Sequence, residues 1–572
     1  MGKGRPDPGL VAVGRGDAPA DVLLRGASVF VPWTKEWVQT DLAVANGRIA
    51  GWGPRDALEE VDLDGAALVA GFIDAHMHIE STKLWVDQFV RVVLPRGTTT
   101  VAADPHEIAN VFGEAGILAL VEAASSLPFT LALCASSCVP ASPLESSGAT
   151  LSAKEVEGLL GSPAAVAVAE MMNYPGVIAG EDEVLAKIAA AGRLKVDGHA
   201  PGLSGRLLDA YLAAGVQSDH ECIELTEAEE KRRKGMWVFL REGSASRNLA
   251  TLAPMVLSGG TSNLALCTDD REPSLLQSAG HVNDCIRVAV ANGVSIEDAL
   301  VMATANPASY FGLEHLGSLS PGCQADICCF DNLGSLEPAA VWQRGKLVAS
   351  GGRMKDAPLP AAVAPQWMRD SVRLAHVPSP ADFDHGMADG TEVAVIGVVP
   401  QSIRTTRERA VLGPEAGDLA RLAVMERHRG SGRVGLGFVS GFGLGQGAIA
   451  STVAHDAHNL MVVGALGPDG PSDMAVAAGR LAEIGGGQVV VVGGEILAEL
   501  ELAIGGLMSD RPAAEVAEAE VAVVQAAARL GVRLAAPFMQ LSFLGLSVIP
   551  DLKLTDLGMV DVGRFEIVPV AQ

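Results

Sequence analysis

The chain has 572 residues, 49% of them hydrophobic and 19% charged, so it can bury large cores and should fold as two or three domains. Its formal net charge of −26 argues against the basic surfaces that bind nucleic acids or anionic membranes. The sequence shows neither a signal-peptide core near its start nor an apolar stretch long enough to span a bilayer.

The eight cysteines indicate a reducing compartment. They form no C-x-x-C pair, all of them precede residue 330, and several lie within apolar, strand-like runs. Buried free thiols suit the cytoplasm, and this pattern leaves no cysteine-rich zinc site to consider. We therefore expect a cytoplasmic protein with no nucleic-acid or membrane partner.

The first seventy residues predict a loose segment followed by a small β-domain. Residues 1–20 are rich in Gly, Pro, Asp and Arg and predict a disordered or loosely ordered N-terminus. Residues 21–70 contain short strands, and Asn46-Gly47 is the strongest short hairpin signal. Fifty residues cannot complete a β-sandwich, so we expect its remaining strands from residues 318–355.

Residues 71–317 alternate between strand-like and helical patterns about eight times. Such alternation indicates a parallel sheet, and eight units predict an α/β fold of the (β/α)8 TIM-like barrel type. The candidate strands are 68–75, 98–103, 129–134, 164–170, 194–197, 216–218, 236–240 and 263–267.

The rest of the chain predicts a linker and a separate domain. Residues 356–390 are rich in Ala, Pro and Asp and are interpreted as a linker. Residues 391–572 predict a C-terminal α+β domain, in which 513–528 has the pattern of an amphipathic helix.

The first candidate site is the pair of histidines that ends the apolar run 68–73. Because side chains repeat every two residues along a strand, His76 and His78 lie on the same side and could grip one metal ion. The pair by itself could equally be two ordinary histidines in a polar turn. It becomes informative only when further ligands follow at other strand ends.

Further ligand-type side chains do follow other predicted strands, and together they could hold two metal ions. His76 and His78 would bind one ion, and His199 and His220 the other. Glu170 would bridge both ions. The six candidate ligands are His76, His78, Glu170, His199, His220 and Asp269.

Each carboxylate and imidazole also has an ordinary interpretation when it is taken alone. Asp269 could be the N-cap of a helix, and Glu170 could cap the next helix or pair with a lysine. His199 could be a structural hydrogen-bonding residue. The metal interpretation is favoured because all six residues occupy strand ends in barrel order, where the active sites of such barrels gather.

Other polar residues adjoin these ligands and are candidates for catalysis or substrate contact, or are ordinary polar loop residues. The candidates are Glu80, Ser81, His106, Glu107, Glu221, Asp270 and Arg271. A second polar cluster, His455, Asp456 and His458, lies in the C-terminal domain. Its H-x-x-H spacing could mark a ligand pair on a helix, but we favour a domain interface that forms a wall or lid of the site.

Several longer motifs extend this pattern. They are G-F-I-D-A-H-M-H-I-E-S at 71–81, D-P-H-E-I-A-N at 104–110, A-E-M-M-N at 169–173, C-T-D-D-R at 267–271 and V-A-H-D-A-H-N at 453–459. On these motifs the chain resembles the bacterial adenine deaminases of the amidohydrolase superfamily over nearly everything after residue 20. H-x-H alone is common to the superfamily, whereas D-P-H-E-I-A-N and A-E-M-M-N are far more specific.

The resemblance implies an activity and its cofactors. It implies two divalent ions, Mn²⁺ or Fe²⁺ with Zn²⁺ also compatible, and the hydrolysis of adenine to hypoxanthine and ammonia in purine salvage. Asp269 would move the proton of the attacking water, and Glu221 or Glu107 would protonate N1 of the purine. Glu170 would replace the carboxylated lysine of other amidohydrolases. We also expect a homo-oligomer, a dimer or a tetramer.

Two departures and two alternatives accompany the resemblance. Ala70 stands where proline is usual, which should be harmless, and Glu272 stands where histidine is expected, which bears on substrate fit. One alternative is another amidohydrolase, such as a cyclic-amide hydrolase, although that class usually carries the lysine bridge. The other is a non-catalytic barrel scaffold, against which the complete ligand set speaks.

Overall fold

The computed structural model of the protein describes residues 6–355, 359, 362–400, 402–414 and 416–571. The predicted loose segment 1–20 and the predicted linker 356–390 therefore fall partly outside the described residues. Among those described, no helix combines the length and apolar character that crossing a membrane requires.

The N-terminal segment is more ordered than its composition predicts. Helix α1 (Pro8–Arg15) begins after Asp7, whose carboxylate accepts hydrogen bonds from the backbone at the first turn. Val13 is buried, and Arg55 donates 3.2 Å to its carbonyl oxygen. The prediction that 1–20 is disordered or loosely ordered is therefore wrong from residue 6 onward, because a cap and one buried contact stabilise the helix.

Five strands follow α1 and belong to one antiparallel-rich sheet. They are β1 (Ala20–Val31), β2 (Glu36–Ala45), β3 (Arg48–Trp52), β4 (Ala57–Asp62) and β5 (Ala67–Ala70). Strands β2 and β3 pair as an antiparallel hairpin whose turn residues, Asn46 and Gly47, both have positive φ. The predicted Asn-Gly hairpin is confirmed, because this turn requires the left-handed region that these two residues tolerate.

Eight parallel strands form the barrel. They are β6 (Phe72–Met77), β7 (Thr98–Ala103), β8 (Thr130–Ala135), β9 (Ala165–Met171), β10 (Lys195–Gly198), β11 (Ser218–Asp219), β12 (Trp237–Arg241) and β13 (Leu264–Cys267). Gln217 donates 2.9 Å to Val196 between β10 and β11, and a parallel bridge between Met77 and Asp269 closes the ring. The predicted (β/α)8 class is confirmed.

The helices around the barrel bury one apolar side each. Helix α5, for example, begins with a capping box formed by Ser152 and Glu155 and buries Val156 and Leu159. In chain order the helices are α2 (Val86–Val93), α3 (His106–Phe112), α4 (Glu114–Ser125), α5 (Ala153–Leu160), α6 (Tyr174–Ala179), α7 (Asp182–Ala190), α8 (Gly205–Ala213), α9 (Leu225–Arg233), α10 (Leu249–Leu252), α11 (Pro254–Gly259), α12 (Pro273–Ser278), α13 (Val282–Ala291), α14 (Ile296–Ala303) and α15 (Ala305–Tyr310).

After the barrel the chain returns to the first sheet. The returning strands are β14 (Ile327–Phe330), β15 (Ala340–Gln343), β16 (Lys346–Ser350) and β17 (Arg353–Met354). Strand β14 pairs antiparallel with β5, so strands from both ends of the barrel segment share one sheet. The limits assigned to each domain remain predictions.

In the C-terminal part, the described residues form an eight-stranded sheet, a three-stranded sheet and three α-helices. The large sheet has the order β19-β18-β21-β20-β23-β22-β24-β25, and β26, β27 and β28 form the small one. The strands are β18 (Glu392–Val398), β19 (Thr405–Val411), β20 (Leu419–Met425), β21 (Val434–Ser440), β22 (Ala448–Ser451), β23 (Leu460–Ala465), β24 (Gly487–Val492), β25 (Glu495–Glu501), β26 (Leu552–Thr555), β27 (Gly558–Asp561) and β28 (Glu566–Val568). The helices are α16 (Gly470–Glu483), α17 (Ala513–Arg529) and α18 (Pro537–Ser542).

A buried ion-pair cluster joins this part to the barrel mouth. The ammonium group of Lys83 lies 2.9 Å from Oε1 of Glu272 and also contacts Glu520 in α17. Glu520 additionally accepts a 2.9 Å hydrogen bond from the backbone of Ser274. The unexpected glutamate at position 272 therefore makes its ion pair in the packing between barrel and C-terminal domain.

Candidate metal centre

The six predicted ligands meet at one mouth of the barrel. Each lies at the carboxyl end of a strand or in the residues directly after it, and all are buried, none being more than 6% exposed. The strands are parallel, so these ends face the same side of the barrel, where side chains from distant parts of the chain converge.

Glu170 lies at the centre of the group, with imidazoles on both sides of its carboxylate. Its Oε1 is 3.3 Å from Nε2 of His78, and its Oε2 is 3.3 Å from Nε2 of His220 and 2.7 Å from Nδ1 of His199. A carboxylate in this position can bridge two ions. The next helix is capped by Asn173, so the alternative that Glu170 caps it is wrong.

Asp269 completes the group from the last strand of the barrel. Its Oδ1 lies 3.1 Å from Nε2 of His78 and 3.5 Å from Nε2 of His76. The residue has a φ of 56°, a left-handed conformation that non-glycine residues seldom adopt and that often marks a functional site. Helix α12 begins after Glu272, so the alternative of Asp269 as its N-cap is wrong.

The donor atoms fit divalent metal ions. Nδ1 of His78 lies 2.8 Å from the Asp104 carbonyl oxygen, to which it can only donate, so Nε2 presents its lone pair to the carboxylates. Nε2 of His76 and Nε2 of His199 are buried without a hydrogen-bond partner among the described residues. Two ligands of one tetrahedral ion, each at about 2.1 Å from it, lie about 3.4 Å apart. The spacings of His78 and His220 from Glu170 and those of His76 and His78 from Asp269, 3.1–3.5 Å, are near this size. The 2.7 Å between His199 and Glu170 has the length of a hydrogen bond.

Both carboxylates are ionised, as metal ligands must be. Burial opposes ionisation of Glu170, yet His199 and the other nearby imidazoles hold the pKa of its carboxyl well below the usual range. Burial likewise opposes ionisation of Asp269, and the guanidinium of Arg241 outweighs it and lowers that pKa. Carboxylates and imidazoles together suit Mn²⁺, Fe²⁺ or Zn²⁺.

Arg241 is a residue of this site that the sequence-based interpretation missed. It ends β12, is 1% exposed, and its Nη1 contacts both Glu221 and Asp269. Its Nη2 donates 2.9 Å to Oε2 of Glu221. Its position at the end of the seventh barrel strand could have identified it, because other strand ends supply metal ligands. It was not selected because a guanidinium cation does not bind metal ions.

A small cavity lies directly above the metal ligands. Among the predicted catalytic and substrate-contact residues, His106, Glu221 and Asp270 line it, and the C-terminal domain adds Ile403 together with two members of the second polar cluster, His455 and Asp456. A larger cleft of about 570 Å³ shares Glu221, Ser246 and Ile403 with this cavity. The cleft therefore adjoins the cavity on the side of these three residues.

Four other predicted residues do not line the cavity but lie behind the residues that do: Glu80, Ser81, Glu107 and Arg271. The hydroxyl of Ser81 donates 2.9 Å to Oε1 of Glu107 and also contacts Asp270. Glu80 accepts a 3.0 Å hydrogen bond from the backbone of Ile108. These contacts fix the loops that carry the lining residues.

Arg271 also supports the loops. Its guanidinium donates 2.7 Å to the carbonyl oxygen of Glu242 and pairs with Asp284 in α13. Both contacts lie within the barrel wall, so the geometry of Arg271 is that of a residue that orders its loop.

The second polar cluster lies in a loop that precedes β23. Residues 452–459 form turns and bends, so the alternative of a ligand pair on a helix is wrong. Nδ1 of His455 lies 3.4 Å from Oε1 of Glu107, and Oδ1 of Asp456 lies 3.6 Å from Nε2 of His106. The loop therefore meets the barrel here and forms a wall of the cavity.

Two family models match the chain: Amidohydrolase family over residues 67–348, and Adenine deaminase C-terminal domain over residues 400–566. Adenine deaminase 2 of Carboxydothermus hydrogenoformans is 44% identical over 99% of this chain and 100% of that protein. The chain belongs to the adenine deaminase family of amidohydrolases.

Further members of the family show the same full-length match. Adenine deaminase of Cereibacter sphaeroides is 46% identical over 98% of this chain and 99% of that protein. Adenine deaminase of Desulfatibacillum aliphaticivorans is 41% identical over 98% of this chain and 99% of that protein. The resemblance read from the motifs is confirmed.

Proposed function

We propose that this protein catalyses the hydrolytic deamination of adenine to hypoxanthine and ammonia, a reaction of purine salvage. The observation that carries the proposal is the Glu170 carboxylate flanked by imidazoles from three barrel strand ends, beneath a cavity walled by the family's C-terminal domain. The relatives named adenine deaminase supply the substrate class.

The six ligands would hold two divalent ions, Mn²⁺ or Fe²⁺, with Zn²⁺ as the remaining possibility. His76 and His78 would hold one ion, His199 and His220 the other, and Glu170 would bridge them. When bound, two such ions lower the pKa of a shared water and so make it nucleophilic at neutral pH. The unpartnered Nε2 atom of His76, which faces Glu170 and Asp269, supports this assignment.

Asp269 moves the proton that the reaction requires at the amine. It lies beside His76 and His78, at the edge of the cavity, where its carboxylate can reach both the water and the 6-amino group. As the water oxygen bonds to C6, Asp269 accepts the proton, and it passes that proton to the amine as the C–N bond breaks. Arg241 holds the second oxygen of Asp269 and so orients the carboxylate.

N1 of the purine must gain a proton when the ring loses its aromaticity, and we assign this transfer to Glu221. Burial opposes ionisation of Glu221, but the Arg241 guanidinium holds its pKa below the usual range, so this carboxylate accepts the second proton of the attacking water and passes it to N1. Glu221 lines the cavity, whereas Glu107 stands one contact behind it. We further assign contacts with the purine to His106 and Asp270, which also line the cavity. Glu80, Ser81 and Arg271 would position the surrounding loops.

The cysteines indicate the cellular compartment in which the reaction would take place. Within the described residues the cysteines are all free and buried, which supports a reducing cytoplasm as the site of the reaction. The expected homo-oligomer, a dimer or a tetramer, stays a prediction.

The proposal is tested by measuring ammonia release from adenine, adenosine and cytosine, and ring opening of hydantoin, with enzyme reconstituted in Mn²⁺. Adenine should be the preferred substrate, and apoenzyme should be inactive until metal is returned. Inert adenine together with opening of hydantoin would instead establish the cyclic-amide hydrolase alternative. Activity on none of the four would support the non-catalytic scaffold.

A further inference from the structure

A second group of metal-type donors lies between the barrel and the C-terminal domain, apart from the six ligands of the binuclear centre. It consists of His106 and Glu107, at the start of α3, and His455 and Asp456, in the loop before β23. All four side chains are at most 5% exposed. The two domains therefore contribute two imidazoles and two carboxylates to one buried place.

The spacing of these donors is wrong for hydrogen bonds and right for a shared cation. Nδ1 of His455 lies 3.4 Å from Oε1 of Glu107 and 3.7 Å from Oδ1 of Asp456, and Nε2 of His106 lies 3.6 Å from that same Oδ1. Hydrogen bonds between such atoms would be about 2.7–3.2 Å long. Ligands about 2.1 Å from one tetrahedral ion lie about 3.4 Å apart.

The tautomer of His106 strengthens this interpretation. Its Nδ1 lies 3.1 Å from Oδ2 of Asp104, to which it can only donate, so in the neutral ring Nε2 carries a lone pair. That Nε2 is buried, has no hydrogen-bond partner within the described part of the chain, and faces the carboxylate of Asp456. An imidazole that donates one N–H to a carboxylate and presents the other nitrogen to a second carboxylate has the usual arrangement of a metal ligand.

The neighbouring His458 has the opposite tautomer and serves a different purpose. Its Nδ1 accepts a 3.1 Å hydrogen bond from the backbone of Ala454, so Nε2 keeps its hydrogen and cannot bind a metal. This N–H lies 3.8 Å from Oε2 of Glu107, whose other oxygen accepts the Ser81 hydroxyl. The hydrogen bond from Ser81 orients the Glu107 carboxylate.

We propose that His106, Glu107, His455 and Asp456 bind a third divalent cation. Two carboxylates balance its charge, and the mixed nitrogen and oxygen donors suit Mn²⁺, Fe²⁺ or Zn²⁺. The ion ties the C-terminal domain to the barrel because each side supplies two ligands. His106, His455 and Asp456 also line the cavity, so the ion places a positive charge beside the bound purine.

The first test counts and locates ions in the full-length enzyme. Chelator-treated protein dialysed against Mn²⁺ alone should bind three equivalents per chain, and an anomalous-scattering map of its crystals should show a peak between Glu107, His455 and Asp456. Two equivalents with no peak at that place would overturn the proposal. The binuclear centre is scored by its own peaks beside Glu170, so the two assignments succeed or fail separately.

The second test uses a matched pair of substitutions. Asp456→Asn should lower the bound Mn²⁺ from three equivalents to two and remove only the third peak. Asp382→Asn is the control, because Asp382 also accepts a contact from a histidine, the exposed His376 at 2.9 Å, in the segment before the C-terminal domain. The control should retain three equivalents. Three equivalents in Asp456→Asn would overturn the proposal.

Discussion

Nη1 of Arg241 contacts Oδ2 of Asp269, while the same guanidinium grips both oxygens of Glu221. One cation from the seventh barrel strand thus orients the two carboxylates to which we assign the proton transfers. Arg241 acts through them as a positioning residue.

Arg241→Lys should therefore lower kcat on the order of 10-fold to 100-fold while KM and metal content change little. Lysine keeps the charge but loses the rigid fork, and a small misplacement of reacting groups is costly. Steady-state kinetics with metal analysis measures the split. Arg480→Lys provides the control, because Arg480 grips both oxygens of Glu499 at 2.7 and 2.8 Å far from the cavity. Equal falls in kcat in the two variants would show that Arg241 does not position the catalytic carboxylates.

Asp269→Asn should retain its metal but lose on the order of 10²-fold or more in turnover. The amide can still occupy the place of the carboxylate, but it cannot accept and return a proton at neutral pH. Metal analysis and ammonia release with adenine check both parts. Asp209→Asn, on the exposed side of α8, should behave as wild type. A kcat near the wild-type value would exclude Asp269 from proton transfer.

Glu170→Gln should lower the bound Mn²⁺ by at least one equivalent and abolish activity. The carboxylate is the group that faces imidazoles on both sides, and an amide supplies only one oxygen and no charge. Equilibrium dialysis followed by elemental analysis gives the count. Glu229→Gln removes a surface carboxylate that pairs with Arg233 and should change neither quantity. Full metal occupancy in the Gln variant would contradict the bridging role.

Lys83→Met should destabilise the folded protein by about 3–5 kcal/mol. Lys83 is 1% exposed and neutralises Glu272 and Glu520, so its removal leaves two buried carboxylates without a countercharge. Urea denaturation of metal-loaded protein measures the change. Arg233→Met breaks an exposed ion pair and should cost about 0.5 kcal/mol or less. Similar losses of unfolding free energy in the two variants would show that the buried cluster contributes no more to stability than an exposed ion pair does.

Asp326→Asn should make stability less dependent on pH between about 4 and 6. Burial raises the pKa of Asp326 to about 6, above about 3.9 in the unfolded chain. As pH rises through this window the unfolded chain releases the proton first, so wild-type stability falls, by about 3 kcal/mol at most. The Asn side chain does not titrate, so the variant does not lose this stability. Its free energy of unfolding relative to that of the wild type should therefore increase as the pH rises from about 4 to about 6.

Urea denaturation from pH 4 to pH 7 checks the effect of Asp326→Asn. The control is Asp370→Asn, because the Asp370 side chain is 87% exposed and folding removes little water from its carboxylate. Parallel stability curves for wild type and Asp326→Asn would show that burial of this carboxyl does not affect folding.

The family and the barrel were accessible from the sequence because their signals are local. Most of the eight parallel strands are short and rich in apolar residues, since both faces of such strands are buried. Five of them lead into the six candidate ligands that the barrel gathers at its mouth. His76 and His78 needed only the two-residue repeat of a strand to be placed together. The motifs around them were specific enough to indicate the family.

Only the tertiary structure decided what depends on contacts between distant segments. Helix α1 exists because Asp7 caps it and Val13 is buried, which its Gly- and Pro-rich composition hides. Lys83 pairs with both Glu272 and Glu520, the latter in α17, and these partners are separated by hundreds of residues in the sequence.

The same distinction runs through the site itself. The sequence alone determined the six candidate ligands, because each follows a strand and strand order brings their ends together. It could not show that Arg241 contacts Asp269 or that His455 and Asp456 face His106 and Glu107. The first contact depends on side-chain packing within the barrel mouth, and the others depend on how the C-terminal domain packs against the barrel. A one-dimensional pattern carries no information about which side chains or surfaces meet.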